Sequence, residues 1–160
     1  MIIGIQHSSF TVSNLEETIH FFRDLLGLEA TPIREVKGER IERILQMPGV
    51  CLHISNATTP DNGNIELIEY VAPKGAAIDL KTCNVGVAHL AFEVDDIQKM
   101  YDDLTAKGVK FNHSPLWAAA GALKGWGICY LKGPDGITLE FMEAPKGVEL
   151  HPATGFPTSE

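Results

Sequence analysis

GVAHLAFEV (Gly86–Val94) alternates with the period of a half-buried strand and sets an imidazole, His89, inside its apolar run. GIQHSSFTV (Gly4–Val12) has the same length, the same Phe-x-Val ending and His7 at the same place. The two histidines are 82 residues apart, and the same offset carries Phe10 onto Phe92, Val12 onto Val94, Leu15 onto Ile97, Ile19 onto Tyr101 and Phe22 onto Leu104. Strand and helix positions repeat together, so the repeated object is a whole supersecondary unit.

Working outward, NLEETIHFFRDLLG (Asn14–Gly27) has apolar residues at 15, 19, 22, 25 and 26, the spacing of one helix face. Asn14 is an N-cap with Glu17 three residues on, and Gly27 is a stop. DDIQKMYDDLTAKG (Asp95–Gly108) repeats this with 97, 100, 101 and 104. Extended stretches follow both: LEATPIREV (Leu28–Val36), then GVKF (Gly108–Phe111). CLHIS (Cys51–Ser55) and GICYL (Gly127–Leu131) read as third strands. PDNGNIELIEY (Pro60–Tyr70) and GPDGITLEFME (Gly133–Glu143) each read as a turn feeding a final strand. The expected fold is α+β, a β-α-β-β-β module read twice. Residues 1–72 form the first module, 73–84 a linker, 85–145 the second module and 146–160 an irregular arm.

Composition narrows the function. Hydrophobic content of 44% and charged content of 21% are those of a soluble globular chain. No apolar run reaches the length of a membrane span, and the N-terminus lacks the basic region and cleavage site of a signal peptide. Cys51, Cys83 and Cys129 lack CxxC spacing and read as reduced, buried thiols of a cytoplasmic protein. A net charge of −8 without a Lys/Arg cluster argues against nucleic acid or an anionic membrane as partner, and leaves a small molecule.

Side chains alternate across a strand. His7 therefore shares a face with Ile5, Ser9 and Thr11, away from Phe10 and Val12; His89 shares one with Val87, Ala91 and Glu93. Glu66 stands between Ile65 and Leu67, and Glu140 between Leu139 and Phe141, each on the less bulky face. Helices belong on the apolar face and a cavity on the other. A single strand histidine is usually a hydrogen-bonded core residue, and a single strand glutamate is usually solvated. A solvated glutamate, though, has no reason to track a histidine from one half to the other. Two imidazoles and two carboxylates so placed point to a divalent metal, with Zn, Ni, Co, Mn or Fe suited to the donors. Four protein ligands leave two positions of a six-coordinate ion for water or substrate.

The pieces IQHSSFTVSNLEETIHFFRDLLGL, GNIELIEY, GVAHLAFEVDDIQKMYDDLTAKGVKF and GPDGITLEFME resemble the vicinal oxygen chelate superfamily over nearly all of residues 3–143. That superfamily includes glyoxalase I, methylmalonyl-CoA epimerase, extradiol dioxygenases and fosfomycin- and bleomycin-resistance proteins. The resemblance implies paired βαβββ modules forming a curled mixed sheet around a metal-binding cavity, commonly in a homodimer, with metal ligands at His7, Glu66, His89 and Glu140. It places the modules face to face, within one chain or by exchange between subunits. It further implies lyase or isomerase chemistry, in which a metal-bound enediolate or enolate of a small 2-oxo or acyl-thioester substrate forms by proton transfer. Glu140 and Glu66 are the candidate bases, with Glu140 favoured. Extradiol dioxygenases use two His and one Glu, so Glu66 disfavours an Fe(II) or Mn(II) ring-cleaving reaction, the alternative. A second alternative is a binding or resistance protein, which usually lacks the ligands. Two departures are visible. IELIEY lacks the asparagine that glyoxalase I sets shortly after this glutamate, and GPDG replaces the His-Pro-Lys turn typical of the epimerases.

KGERIERILQMPG (Lys37–Gly49) has helical spacing and a basic edge; Arg34, Arg40 or Arg43 could hold a substrate carboxylate or a phosphate of coenzyme A, though for any one of them a solvated helix face is the commoner reading. SPLWAAAGALKGWG (Ser114–Gly127) reads as a lid, or as a loop with one tryptophan tucked into the core. Glu69 and Tyr70 are read as packing or solvent-facing residues, His20 and His151 as surface residues, and Cys129 as core.

Overall fold

Backbone pairing in the computed structural model, which describes residues 1–149 and Gly155, gathers the strands into two five-stranded mixed sheets. The chain divides into two compact units, Met1–Ile78 and Asp79–Glu160. The first contains β1 (Ser8–Val12), α1 (Leu15–His20) continued by a π-helical turn (Phe21–Leu25), β2 (Glu29–Ala30), β3 (Arg34–Lys37), α2 (Glu39–Leu45), β4 (Cys51–Thr58) and β5 (Asn64–Ala72). Its order is β1-β5-β4-β2, with β3 beside β2 on the same flank of β4. The second contains β6 (Leu90–Glu93), α3 (Ile97–Ala106), β7 (Lys110–Phe111), β8 (Leu116–Trp117), β9 (Gly127–Lys132), a 3₁₀ turn (Pro134–Gly136) and β10 (Thr138–Glu143). Its order is β6-β10-β9-β7, with β8 also on β9. β2 with β3, and β7 with β8, act as single interrupted strands. Each unit is thus the expected β-α-β-β-β repeat.

In each unit the first strand runs parallel to the last, and the helix supplies the crossover that parallel pairing needs. Asn14 caps α1 by accepting from Glu17 N at 3.1 Å, and Asp96 caps α3 by accepting from Lys99 N at 2.8 Å. Gly27 and Gly108 end the two helices with φ of +79° and +87°, which glycine adopts without Cβ strain.

The faces follow from the register. Ile65, Leu67, Ser55 and Ala57 share the α1 side in the first unit and are buried, as is Phe22. Leu139, Phe141, Leu131 and Cys129 do the same beneath α3, joined by Leu104. Burying each large apolar side chain contributes roughly 1.5–3 kcal/mol.

Three expectations are corrected. The sequence pattern puts helices on one face only, but α2 packs Ile41 and Leu45 with Val36, Leu52, Ile54, Ile68 and Tyr70. The register sets Leu52, Ile54 and Ile68 on the face of Glu66, so this apolar strip needed its own cover. The strands predicted from Gly4 and Gly86 begin at Ser8 and Leu90, because β5 and β10 start at Asn64 and Thr138 and leave little ladder to join. The thiols are free, but only Cys129 is buried: Cys83, outside both sheets, is exposed and Cys51, at a strand end, is intermediate. In the loop before β9 the tryptophan in the core is Trp126, while Trp117 remains half exposed. His151 lies outside the described residues. Among the described residues, no helix is long and apolar enough to cross a membrane.

Candidate metal-ligand pairs

The two parallel ladders set the geometry. In the first unit Ser9 of β1 stands opposite Glu66 of β5. In the second Ala91 of β6 stands opposite Glu140 of β10. Each histidine lies two residues before that position, on the same face. His7 Nε2 comes within 3.5 Å of Glu66 Oε2, and His89 Nε2 within 3.2 Å of Glu140 Oε2. The structure therefore brings His7 to Glu66 and His89 to Glu140, with the same nitrogen facing the carboxylate in both units. Among the described residues no three His, Cys, Asp or Glu side chains gather in one cluster; each unit assembles two.

The donor chemistry fits a divalent metal. His7 Nδ1 meets Gln6 Oε1, which leaves Nε2 as the nitrogen on the side of the carboxylate. An imidazole nitrogen and a carboxylate oxygen in each unit are a borderline and a hard donor, the mixture that first-row divalent ions accept.

The surroundings of the two glutamates differ. Across β4, Asn56 stands opposite Glu66, and Arg34 Nη2 reaches Glu66 Oε1 at 3.5 Å and Asn56 Oδ1 at 3.3 Å. Across β9, Tyr130 stands opposite Glu140. The Tyr130 ring lies 5.6 Å from that of His89, centroid to centroid. Burial, together with the neighbouring Glu140, raises the Tyr130 phenol above its ordinary range. The Glu140 side chain is 9% exposed against 18% for Glu66. Cys129, also beneath Glu140's strand, is pushed up to about 11 by burial and then by the Glu140 charge, as befits a core thiol and not a nucleophile.

The reading of Glu69 is corrected. Glu69 neither merely packs nor merely faces solvent: its Oε2 accepts from Leu15 N, the first residue of α1, at 3.0 Å. Glu143 does the same for Ile97 N at the start of α3, at 2.8 Å. Each caps a helix N-terminus from the strand that carries the candidate ligand, three residues on. The signal was present as a repeated Glu-x-x-Glu in ELIE and EFME. Of the three arginines considered, only Arg34 reaches the ligand pair; Arg40 and Arg43 are exposed on α2. His20 is exposed and contacts Asp24 at 2.7 Å.

This duplicated strand–helix plan matches known proteins. Residues 4–141 fit the family model of the Glyoxalase/Bleomycin resistance protein/Dioxygenase superfamily. The chain belongs to that superfamily. A putative lactoylglutathione lyase of Brassica oleracea var. gemmifera is 27% identical over 140 residues, which are 86% of this chain and 43% of the relative. A lactoylglutathione lyase of Arabidopsis thaliana is 26% identical over the same shares. The chain thus spans less than half the length of these curated relatives. Among solved structures, a glyoxalase family protein from Bacillus cereus superposes with a TM-score of 0.79 at 25% identity, covering 91% of this chain and 96% of that one. The fosfomycin resistance protein FosX of Listeria monocytogenes, solved with Mn(II) and sulfate, shares the fold with a TM-score of 0.58 at 16% identity, covering 91% and 96%.

Proposed function

We propose that the chain is a divalent-metal-dependent lyase or isomerase of the glyoxalase type, with His7, Glu66, His89 and Glu140 as metal ligands. One observation carries this reading: an imidazole and a carboxylate converge at the same register in both units. The likeness to lactoylglutathione lyases supports the reaction type. A bound divalent ion would supply Lewis-acid polarisation of the substrate's oxygens.

The residues then divide the remaining work. Glu140 is the base: it takes the proton from the carbon next to a carbonyl and returns it to the neighbouring carbon or to the opposite face. Electrons from the broken C–H bond pass into the carbonyl and come back when the proton is returned, so no co-reactant is consumed. Tyr130, opposite Glu140 and beside His89, flanks this pair and limits where its side chains can point. Glu143 and Glu69 tie the ligand-bearing strands to their helices and hold the donor spacing.

The test is elemental mass spectrometry of protein purified without chelators, beside a His89→Ala control. About one equivalent of Ni, Co, Mn or Zn, lost in the control, is the expected result. Iron together with oxygen uptake on a catechol would favour ring cleavage instead. No metal in either sample, even after reconstitution, would remove the enzyme reading and leave a binding protein.

A further inference from the structure

The repeat gives each residue of the site face a counterpart, and Arg34 is the departure that local packing does not explain. Arg34 of β3 pairs with Ile54, while Leu116, its counterpart on β8, pairs with Ile128. An apolar side chain serves that position in the second unit, so strand pairing does not demand a cation in the first. The cation nevertheless sits beside a candidate metal ligand. Its two hydrogen bonds, to Glu66 and Asn56, both use Nη2 and lie at the long end of the range, 3.5 and 3.3 Å. Nε and Nη1 make no hydrogen bond to the described residues, and the side chain is 56% exposed. A guanidinium with unused adjacent donors is shaped for two-point contact with a carboxylate, a contact that Glu66 does not make. Val36, two residues along β3 on the same face, belongs to the apolar cluster under α2. In a chain of net charge −8, an anion needs such a local cation to be drawn in.

We infer that Arg34 binds the carboxylate of a small anionic substrate whose reacting oxygens lie at the adjacent His7–Glu66 pair. The inference rests on the metal reading of that pair and adds the substrate class: a 2-oxo acid or a close relative, with carboxylate and carbonyl a few bonds apart. A neutral molecule of the same shape would leave the guanidinium to water.

The test uses the full chain loaded with Mn(II), titrated with pyruvate and with its neutral amide, pyruvamide, by water-proton relaxation. Metal content is read on every sample. In Arg34→Gln the preference for pyruvate should fall about tenfold, the usual worth of a charge-assisted hydrogen bond, with Mn(II) retained. Arg34→Lys should keep part of the preference, as a point charge without the fork. An unchanged preference in Arg34→Gln overturns the inference and leaves the metal reading standing. Loss of Mn(II) from Arg34→Gln also overturns it, because Arg34 would then act by holding Glu66. Absence of Mn(II) from the unmodified chain overturns the metal reading, and this inference with it.

Discussion

Glu66 and Glu140 occupy the same place in two copies of one plan, yet their neighbours have parted. Glu66 has Arg34 and Asn56, while Glu140 has Tyr130 and deeper burial. Duplication supplies symmetric donors, and chemistry on an asymmetric substrate needs them unequal. A carboxylate held by a cation is suited to binding and orienting. One set beside a phenol in a drier setting is suited to exchanging a proton. The helix-capping glutamates, by contrast, kept the same role in both units. Within each unit the tie between strand and helix is the same, while the surroundings of the candidate ligand differ.

The largest expected effect tests that inequality. Glu140→Gln should lower kcat/KM by about a thousandfold on a 2-oxo or acyl-thioester substrate, within the range for loss of a general base, with circular dichroism unchanged. Glu66→Gln should lose less turnover but more metal, read by elemental analysis. Equal losses in both variants would erase the distinction between the units. A smaller effect tests the conserved part. Glu143→Gln and Glu69→Gln should each cost about 1–2 kcal/mol in urea denaturation, because each removes a charged acceptor at a helix N-terminus. A large loss in one and none in the other would show that the units have diverged here too. The smallest effect concerns the thiols. Exposed Cys83 should react with iodoacetamide first, and Cys129 only on unfolding. With Cys129 raised to about 11, increasing pH from 7 to 9 leaves it protonated, so its labelling in the folded chain should not rise.

Much of this was legible because the repeat doubles every signal. His7 and His89, Glu66 and Glu140, and the two helices with their caps are each read once and checked by the offset. The features that escaped are those in which one residue's meaning depends on a distant partner. Glu69 looks like any strand glutamate until β5 is laid beside the start of α1. Tyr130 and Asn56 acquire roles only once β9 and β4 are registered against the glutamates. Arg34 cannot be told from Arg40 and Arg43 until β3 is separated from α2. The α2 cluster escaped for another reason: Leu52 and Ile54 follow strand alternation, and alternation does not say that a second helix will cover that face.

The π-helical turn at Phe21–Leu25 has its own consequence. From Leu15 to Gly27 the first unit counts one residue more than the second does from Ile97 to Gly108. The surplus is absorbed where Leu26 N reaches back to Phe21 O at 3.1 Å, five residues instead of four. The helix thus acts as a slack link in the chain. A residue deleted from this turn should tighten it into ordinary α-helix and leave β1 and β5 aligned. One deleted from β1 would turn His7 to the opposite face of the sheet. Change in length is harmless in the crossover and ruinous in the ladder, and this marks where the module can be shortened or lengthened without losing its pair of ligands.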